Sequence, residues 1–178
     1  MAALTLTVCS YAQQVPRPAK DYPIKLANGQ TLMVSQMKGK PVVLEFLLTT
    51  CPHCQATAGT LSKLSKDFPG VQMYGIAMNE NPDVAGFIKD NKVTFPVGTG
   101  PREAVYDFLE HSVMNPRISF PQVLFIDRNG VIQGQYEGGQ DFLGPDQEKN
   151  IRAELKKLTG NAAARKPAVG SPAKKKAS

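Results

Sequence analysis

The chain has no tryptophan, two histidines and three cysteines in 178 residues. Each shortage narrows what it can do. Three cysteines cannot knit the multi-bridge framework of a small stapled fold, and a chain of this length buries enough core to fold without one. No stretch approaches the roughly 20 apolar residues that a membrane-spanning helix requires. Acidic residues are missing after Gly160, where Arg165, Lys166, Lys174, Lys175 and Lys176 supply most of the formal charge of +6. The rest of the chain carries 16 basic against 15 acidic residues, which argues against specific nucleic-acid binding.

The remaining composition, 42% hydrophobic and 20% charged, is that of a soluble globular domain. Four segments are expected. Residues 1–12, "MAALTLTVCSYA", read as the remnant of a secretory signal: apolar, then small residues at Ser10 and Ala12. Cys9 raises a lipid anchor, but Val8 stands where a lipobox places a small residue, so tethering is not favoured. Residues 13–21 read as a linker, 22–159 as one folded domain, and 160–178 as a disordered basic tail rich in Ala, Pro, Gly and Lys.

Within the domain, Asn28-Gly29 marks a hairpin between short extended pieces. "PVVLEFLL" is apolar on both faces, as in a central strand. Ala58, Leu61, Leu64 and Phe68 recur at three and four, predicting a helix from Pro52 to about Phe68. "VQMYGIAM" reads as a second buried strand, "NPDVAGFIKDN" as a helix opened by Asn81-Pro82, "VTFPV" as a short extended piece and "PREAVYDFLEHSV" as a further helix. Two strands then flank the Asn129-Gly130 turn, and "GPDQEKNIRAELKKL" forms a last helix with acids early and lysines late. This order predicts an α/β fold of three layers, a mixed central sheet with helices on both faces and an N-terminal hairpin.

The chemistry is concentrated in "LEFLLTTCPHC". Cys51-Pro52-His53-Cys54 falls where the strand ends and the helix begins. There the unpaired N–H groups and positive dipole of a first turn favour a thiolate at Cys51. Pro52 suits the first helical position, because it has no N–H to lose. His53 adds a donor beside the same sulfur, and a positive charge when protonated. These features stabilise the reduced form and make the disulfide more oxidising. Cys54, one turn on, is the resolving thiol. Half of a structural zinc site is the competing reading, but it needs two more ligands, and His53, His111 and Cys9 form no second pair.

Glu45 interrupts the apolar strand six residues before Cys51. A strand could turn it to water, yet Val43 and Leu47 share its face and argue for burial. A buried carboxyl holds its proton more tightly and can exchange it near neutrality, which suits it to serve Cys54.

"GKPVVLEFLLTTCPHC" together with "FPQVLFIDRNGVIQGQYEGG" resembles the thioredoxin fold, in particular the TlpA-like/redoxin branch of extracytoplasmic thiol–disulfide oxidoreductases. The resemblance covers about residues 22 to 158 and rests on the residues quoted. It implies a redox-active Cys51–Cys54 pair, Glu45 at the position of a buried acid, and Phe120-Pro121 as a cis-proline pair at the substrate groove. That the strand–helix unit from Val71 to about Val97 is an insertion is likewise implied only by this resemblance. Asn79 and Glu80 lie near where some relatives place a further acid. Thr50 stands where the family commonly has tryptophan, and Leu48 replaces the threonine that a peroxidatic site needs. His111 has no partner motif of the kind copper-delivering relatives use.

The expectation is therefore a periplasmic dithiol–disulfide oxidoreductase without a cofactor, monomeric, working on cysteine-containing proteins and an upstream redox donor or acceptor. The alternative is a soft-metal (copper) carrier or a cytochrome c maturation accessory using the same cysteines.

Overall fold

The computed structural model describes residues 15–111 and 117–160. The expected signal remnant with Cys9, and the tail beyond Gly160, lie outside them. In chain order the strands are β1 (Arg17–Pro18), β2 (Pro23–Leu26), β3 (Thr31–Met33), β4 (Val42–Leu47), β5 (Gln72–Ala77), β6 (Val97–Thr99), β7 (Gln122–Ile126) and β8 (Val131–Glu137). The helices are α1 (Pro52–Ser65), α2 (Val84–Asp90), α3 (Arg102–Phe108) and α4 (Gln147–Gly160). The strands form one mixed sheet in the order β1-β8-β7-β4-β5-β6-β2-β3.

β4 is central and buried at all six positions. It pairs parallel with β5 and antiparallel with β7. Because side chains alternate along a strand, β4 feeds two cores. Val43 and Leu47 pack in a cluster with Ala58, Leu61 and Leu64 of α1 and Ile151, Leu155 and Leu158 of α4. Val42, Leu44 and Phe46 pack on the opposite face with Val105 and Phe108 of α3 and Tyr22 and Ile24 of the N-terminal hairpin. Tyr22, Phe46 and Phe108 form the aromatic centre of that second cluster, with ring centroids 5.2 to 5.6 Å apart. The three-layer α/β arrangement expected from the sequence is present, with its hairpin (β2–β3) and its inserted unit (β5–α2). Gly29 takes φ +84° in the hairpin turn, a conformation that favours glycine. Among the described residues no helix is long and apolar enough to cross a membrane.

Four local expectations shift. The stretch read as a linker supplies β1, which adds antiparallel to β8 through Arg17↔Ile132 and Pro18↔Val131. Arg17 is buried because its guanidinium has partners: Nη2 donates to Gln135 Oε1 at 2.6 Å, and Nε lies 3.2 Å from Glu110 Oε2. α1 ends at Ser65, and Phe68 reaches the core from the turn beyond it. α2 opens at Asp83, whose Oδ1 accepts from Gly86 N–H at 2.8 Å, rather than at Asn81-Pro82. In "VTFPV" pairing begins at Val97, because Pro96 has no N–H for a ladder; Val93 and Phe95 are buried ahead of the strand.

Candidate active site

The sheet delivers the two cysteines to the end of β4. Cys51 is the N-cap of α1 with φ −86° and ψ 120°, and Pro52 is its first helical residue. The first turn contains no acidic residue, so nothing on the helix itself offsets the positive dipole facing Cys51. Cys51 is half-buried, Pro52 and His53 are exposed, and Cys54 is fully buried. Both are free thiols, with Cys51 near enough to raise the Cys54 thiol. Leu48 binds the pair from below: its N–H donates to Cys54 Sγ at 3.5 Å, and its carbonyl accepts from Cys51 N–H at 3.1 Å.

The two sulfurs differ in environment. Burial pushes the Cys54 thiol well above the ordinary thiol range; the Leu48 N–H pulls the other way, and the charges of Cys51 and Glu45 add to the rise. Cys54 is therefore held as a thiol, with the exposed edge of the pair left to Cys51.

Glu45 has zero exposure, and neither carboxylate oxygen has a hydrogen-bond partner. Its register neighbours are Gly75 on β5 and Val123 on β7, neither of which can donate from a side chain. Burial, and secondarily the Cys51 charge, raise its carboxyl well above the carboxylate range. The side chain stands on the α1 face of β4, the face to which Cys54 also belongs. Glu45, Cys51 and Cys54 are thus one electrostatically coupled group.

The turn between β4 and α1 is locked by Asn79 together with Thr49 and Gln55, two residues that sequence reasoning did not single out. Thr49 N–H donates to Asn79 Oδ1 at 3.0 Å, and Asn79 Nδ2 donates back to Thr49 Oγ1 at 3.1 Å. Gln55 Nε2 donates to the Thr49 carbonyl at 3.1 Å, tying the first turn of α1 to the same point. Of the two residues noted after β5, Asn79 is the one at the site. Glu80 is largely exposed and faces Arg102 at 3.5 Å.

Phe120 packs against both core clusters, and the Phe120–Pro121 peptide is cis. Pro121 is buried, and its carbonyl accepts from Gly138 N–H at 2.8 Å. A side chain at Gly138 would collide with the Phe120 carbonyl, so this approach requires glycine. Behind the loop a buried polar chain runs from Ser119 to Arg17. Gln122 Nε2 donates to the Ser119 carbonyl and to Glu137 Oε2, each at 3.0 Å. Gln135 Nε2 donates to Gln122 Oε1 at 3.3 Å, and Gln135 accepts from Arg17. The sequence signal was weak, since isolated glutamines in strands read as surface. His111 lies beyond α3 against the Tyr106 ring, with centroids 6.3 Å apart. Among the described residues no three His, Cys, Asp or Glu side chains gather as a metal-ligand group.

The model of the AhpC/TSA family matches residues 15–135, more than half of the chain. The chain belongs to the AhpC/TSA family. It is a thioredoxin-like oxidoreductase, and the redoxin resemblance drawn from its motifs holds. Thioredoxin-like protein YneN of Bacillus subtilis (strain 168) is 27% identical over 131 residues, covering 70% of this chain and 72% of that protein. A thiol:disulfide interchange protein of the thioredoxin family from Chlorobium tepidum TLS superposes with a TM-score of 0.65 at 23% identity, covering 83% of this chain and 99% of its own. A secreted Mycobacterium tuberculosis disulfide oxidoreductase superposes with a TM-score of 0.58 at 18% identity, covering 76% and 95%. These structures establish the thioredoxin-like fold.

The unpaired buried carboxyl sets a pH dependence. Its folded-state pKa is raised, so between the ordinary value of 4.5 and that raised value the folded chain keeps a proton that the unfolded chain loses. Stability is full below the ordinary value and falls as pH rises, by about 1.4 kcal/mol per pH unit within that window. Urea denaturation from pH 5 to pH 8 will show this decline, and Glu45→Gln will flatten it. An equal slope in the variant assigns the dependence elsewhere.

Proposed function

We propose that the chain exchanges disulfides with cysteine-containing proteins, with Cys51 as the attacking and attacked sulfur and Cys54 as the resolving thiol. The observation that carries this reading is the cysteine pair at a helix start above a buried, unpaired Glu45 carboxyl. In the reductive direction the Cys51 thiolate attacks one sulfur of a client disulfide, forming a Cys51–client mixed disulfide and releasing the other client sulfur as thiolate. Cys54 then gives up its proton and attacks the Cys51 sulfur. The Cys51–Cys54 disulfide forms, and the second client sulfur leaves as a thiolate that is protonated by water. Two electrons pass from the chain to the client.

Glu45 handles the proton at Cys54. Its resting form is the neutral acid, so it is poised for the oxidative direction: when a client thiolate attacks Cys51 of the disulfide, the departing Cys54 thiolate receives the Glu45 proton rather than remaining a buried anion. In the reductive direction the same carboxyl first releases its proton to water and then, as the carboxylate, takes the Cys54 proton. A neutral Glu45 also does not oppose the Cys51 thiolate, as a buried carboxylate charge would. His53 and the helix start set the potential. Pro121 is proposed to shape the client groove, with the Phe120 backbone pairing to an extended client segment as in strand addition.

An extracytoplasmic, periplasmic setting is proposed as well, because a pair biased toward oxidation needs an oxidising compartment to stay charged. The secreted Mycobacterium tuberculosis neighbour agrees with that setting.

Cys54→Ala expressed in a bacterial periplasm will accumulate mixed disulfides on Cys51, visible as higher-mass bands that vanish on reduction. Cys51→Ser will show none and will lose turnover with an insulin disulfide substrate. Wild-type turnover in Cys51→Ser contradicts the assignment.

The Cys51–Cys54 potential is expected between about −270 and −120 mV, and His53→Ala is expected to make it more negative by about 30 mV, equivalent to about 1.4 kcal/mol. Equilibration against a glutathione buffer measures both. An unchanged potential removes His53 from the mechanism and leaves the cysteine roles standing.

A further inference from the structure

Beside the cysteines, on the α3 side of the sheet, lies a pocket of about 280 Å³. Leu48, Met78, Val105 and Phe120 contribute apolar walls, and Arg102 and Arg117 are among its lining residues. No Asp or Glu is among its described lining residues. Two of its walls belong to the redox site. Leu48 is the residue hydrogen-bonded to both cysteines, and Phe120 is joined to Pro121. A polypeptide whose cysteine reacts at Cys51 therefore passes next to this pocket.

We propose that the pocket is a specificity subsite that takes an acidic side chain of the client, close in sequence to its reacting cysteine. This rests on the disulfide-exchange reading above and names what that reading leaves open, the kind of client. The apolar walls cover the methylene stem of a Glu or Asp while its carboxylate meets the arginines, whose planar forks match a carboxylate with two parallel hydrogen bonds. Arg102 already faces a carboxylate through a single long contact: Glu80 Oε1 sits 3.5 Å from its Nη1, with side chains 58% and 87% exposed. Such an exposed pair is weak and is readily exchanged for a better-placed acid. A basic client side chain at the same place meets two like charges and no acid among the described lining residues, so the subsite rejects as well as selects.

The test uses the full chain and three disulfides. Two are peptides identical except for Glu or Lys two residues from the disulfide-bonded cysteine; the third is hydroxyethyl disulfide, small and uncharged. The reduced chain is expected to react about fivefold faster with the Glu peptide than with the Lys peptide at low salt. That ratio is expected to shrink toward one in 1 M salt, where screening acts within a few ångströms. Arg102→Glu and Arg117→Glu will each lower the ratio and together invert it, while Arg117→Lys will keep its sign. Exchange with hydroxyethyl disulfide but equal rates with the two peptides overturns the subsite alone. So does a preference for the Glu peptide that survives both charge reversals, since another surface then provides it. No exchange with any of the three overturns the disulfide-exchange reading and the subsite with it.

Discussion

A carboxyl with no solvent exposure and no hydrogen-bond partner is the constraint around which this fold is arranged. Burying an ionised carboxylate in that condition costs several kcal/mol, so Glu45 holds its proton instead. Everything that makes it apolar is also what makes the domain stable. β4 is covered on both sides, Gly75 and Val123 flank Glu45 in register, and α1 and α4 close the face above. The same burial acts on Cys54, one layer up in the same cluster. Two groups that each resist ionisation thus share one apolar cluster, which is what recommends Glu45 as the proposed proton partner of Cys54.

The exposed half of the site is built on the opposite principle. Cys51 stands at the helix start with no acid in the first turn, while Asn79, Thr49 and Gln55 hold the turn below it. That lock spans thirty residues of chain between Thr49 and Asn79, so the position of the reactive sulfur depends on the inserted β5–α2 unit. On the other side, the segment leading to Pro121 rests on Gln122, which is linked through Gln135 to Arg17 near the chain's first described residues. The two segments flanking the cysteine pair are thus each anchored by polar side chains that are satisfied by distant strands.

This separation explains what was legible in the sequence. Local signals were sufficient for β4, α1, the Asn28-Gly29 hairpin and the strand–helix start at Cys51, because periodicity, a Pro at the first helical position and an Asn-Gly turn act within a few residues. Burial of Glu45 followed from Val43 and Leu47 sharing its face. The polar anchors were not legible. Arg17 in a presumed linker, and Gln122 and Gln135 in strands, acquire meaning from partners more than ten, and up to 118, residues away. The arginines of the side pocket likewise sit on α3 and ahead of β7, with nothing in either stretch to show that they meet. Boundaries moved where a stronger local device prevailed, as when Asp83 capped α2 and Pro96 delayed β6.

The central claim is that Glu45 is a neutral acid in the resting, reduced protein, and so holds a proton next to the resolving thiol instead of a buried charge. Infrared difference spectroscopy between wild type and Glu45→Gln at pH 7, in the reduced state, reads this directly. The account expects a protonated carboxyl C=O band in the wild type that is absent from the variant and insensitive to exchange of the bulk buffer. A wild-type spectrum showing only ionised carboxylate at that pH would contradict it.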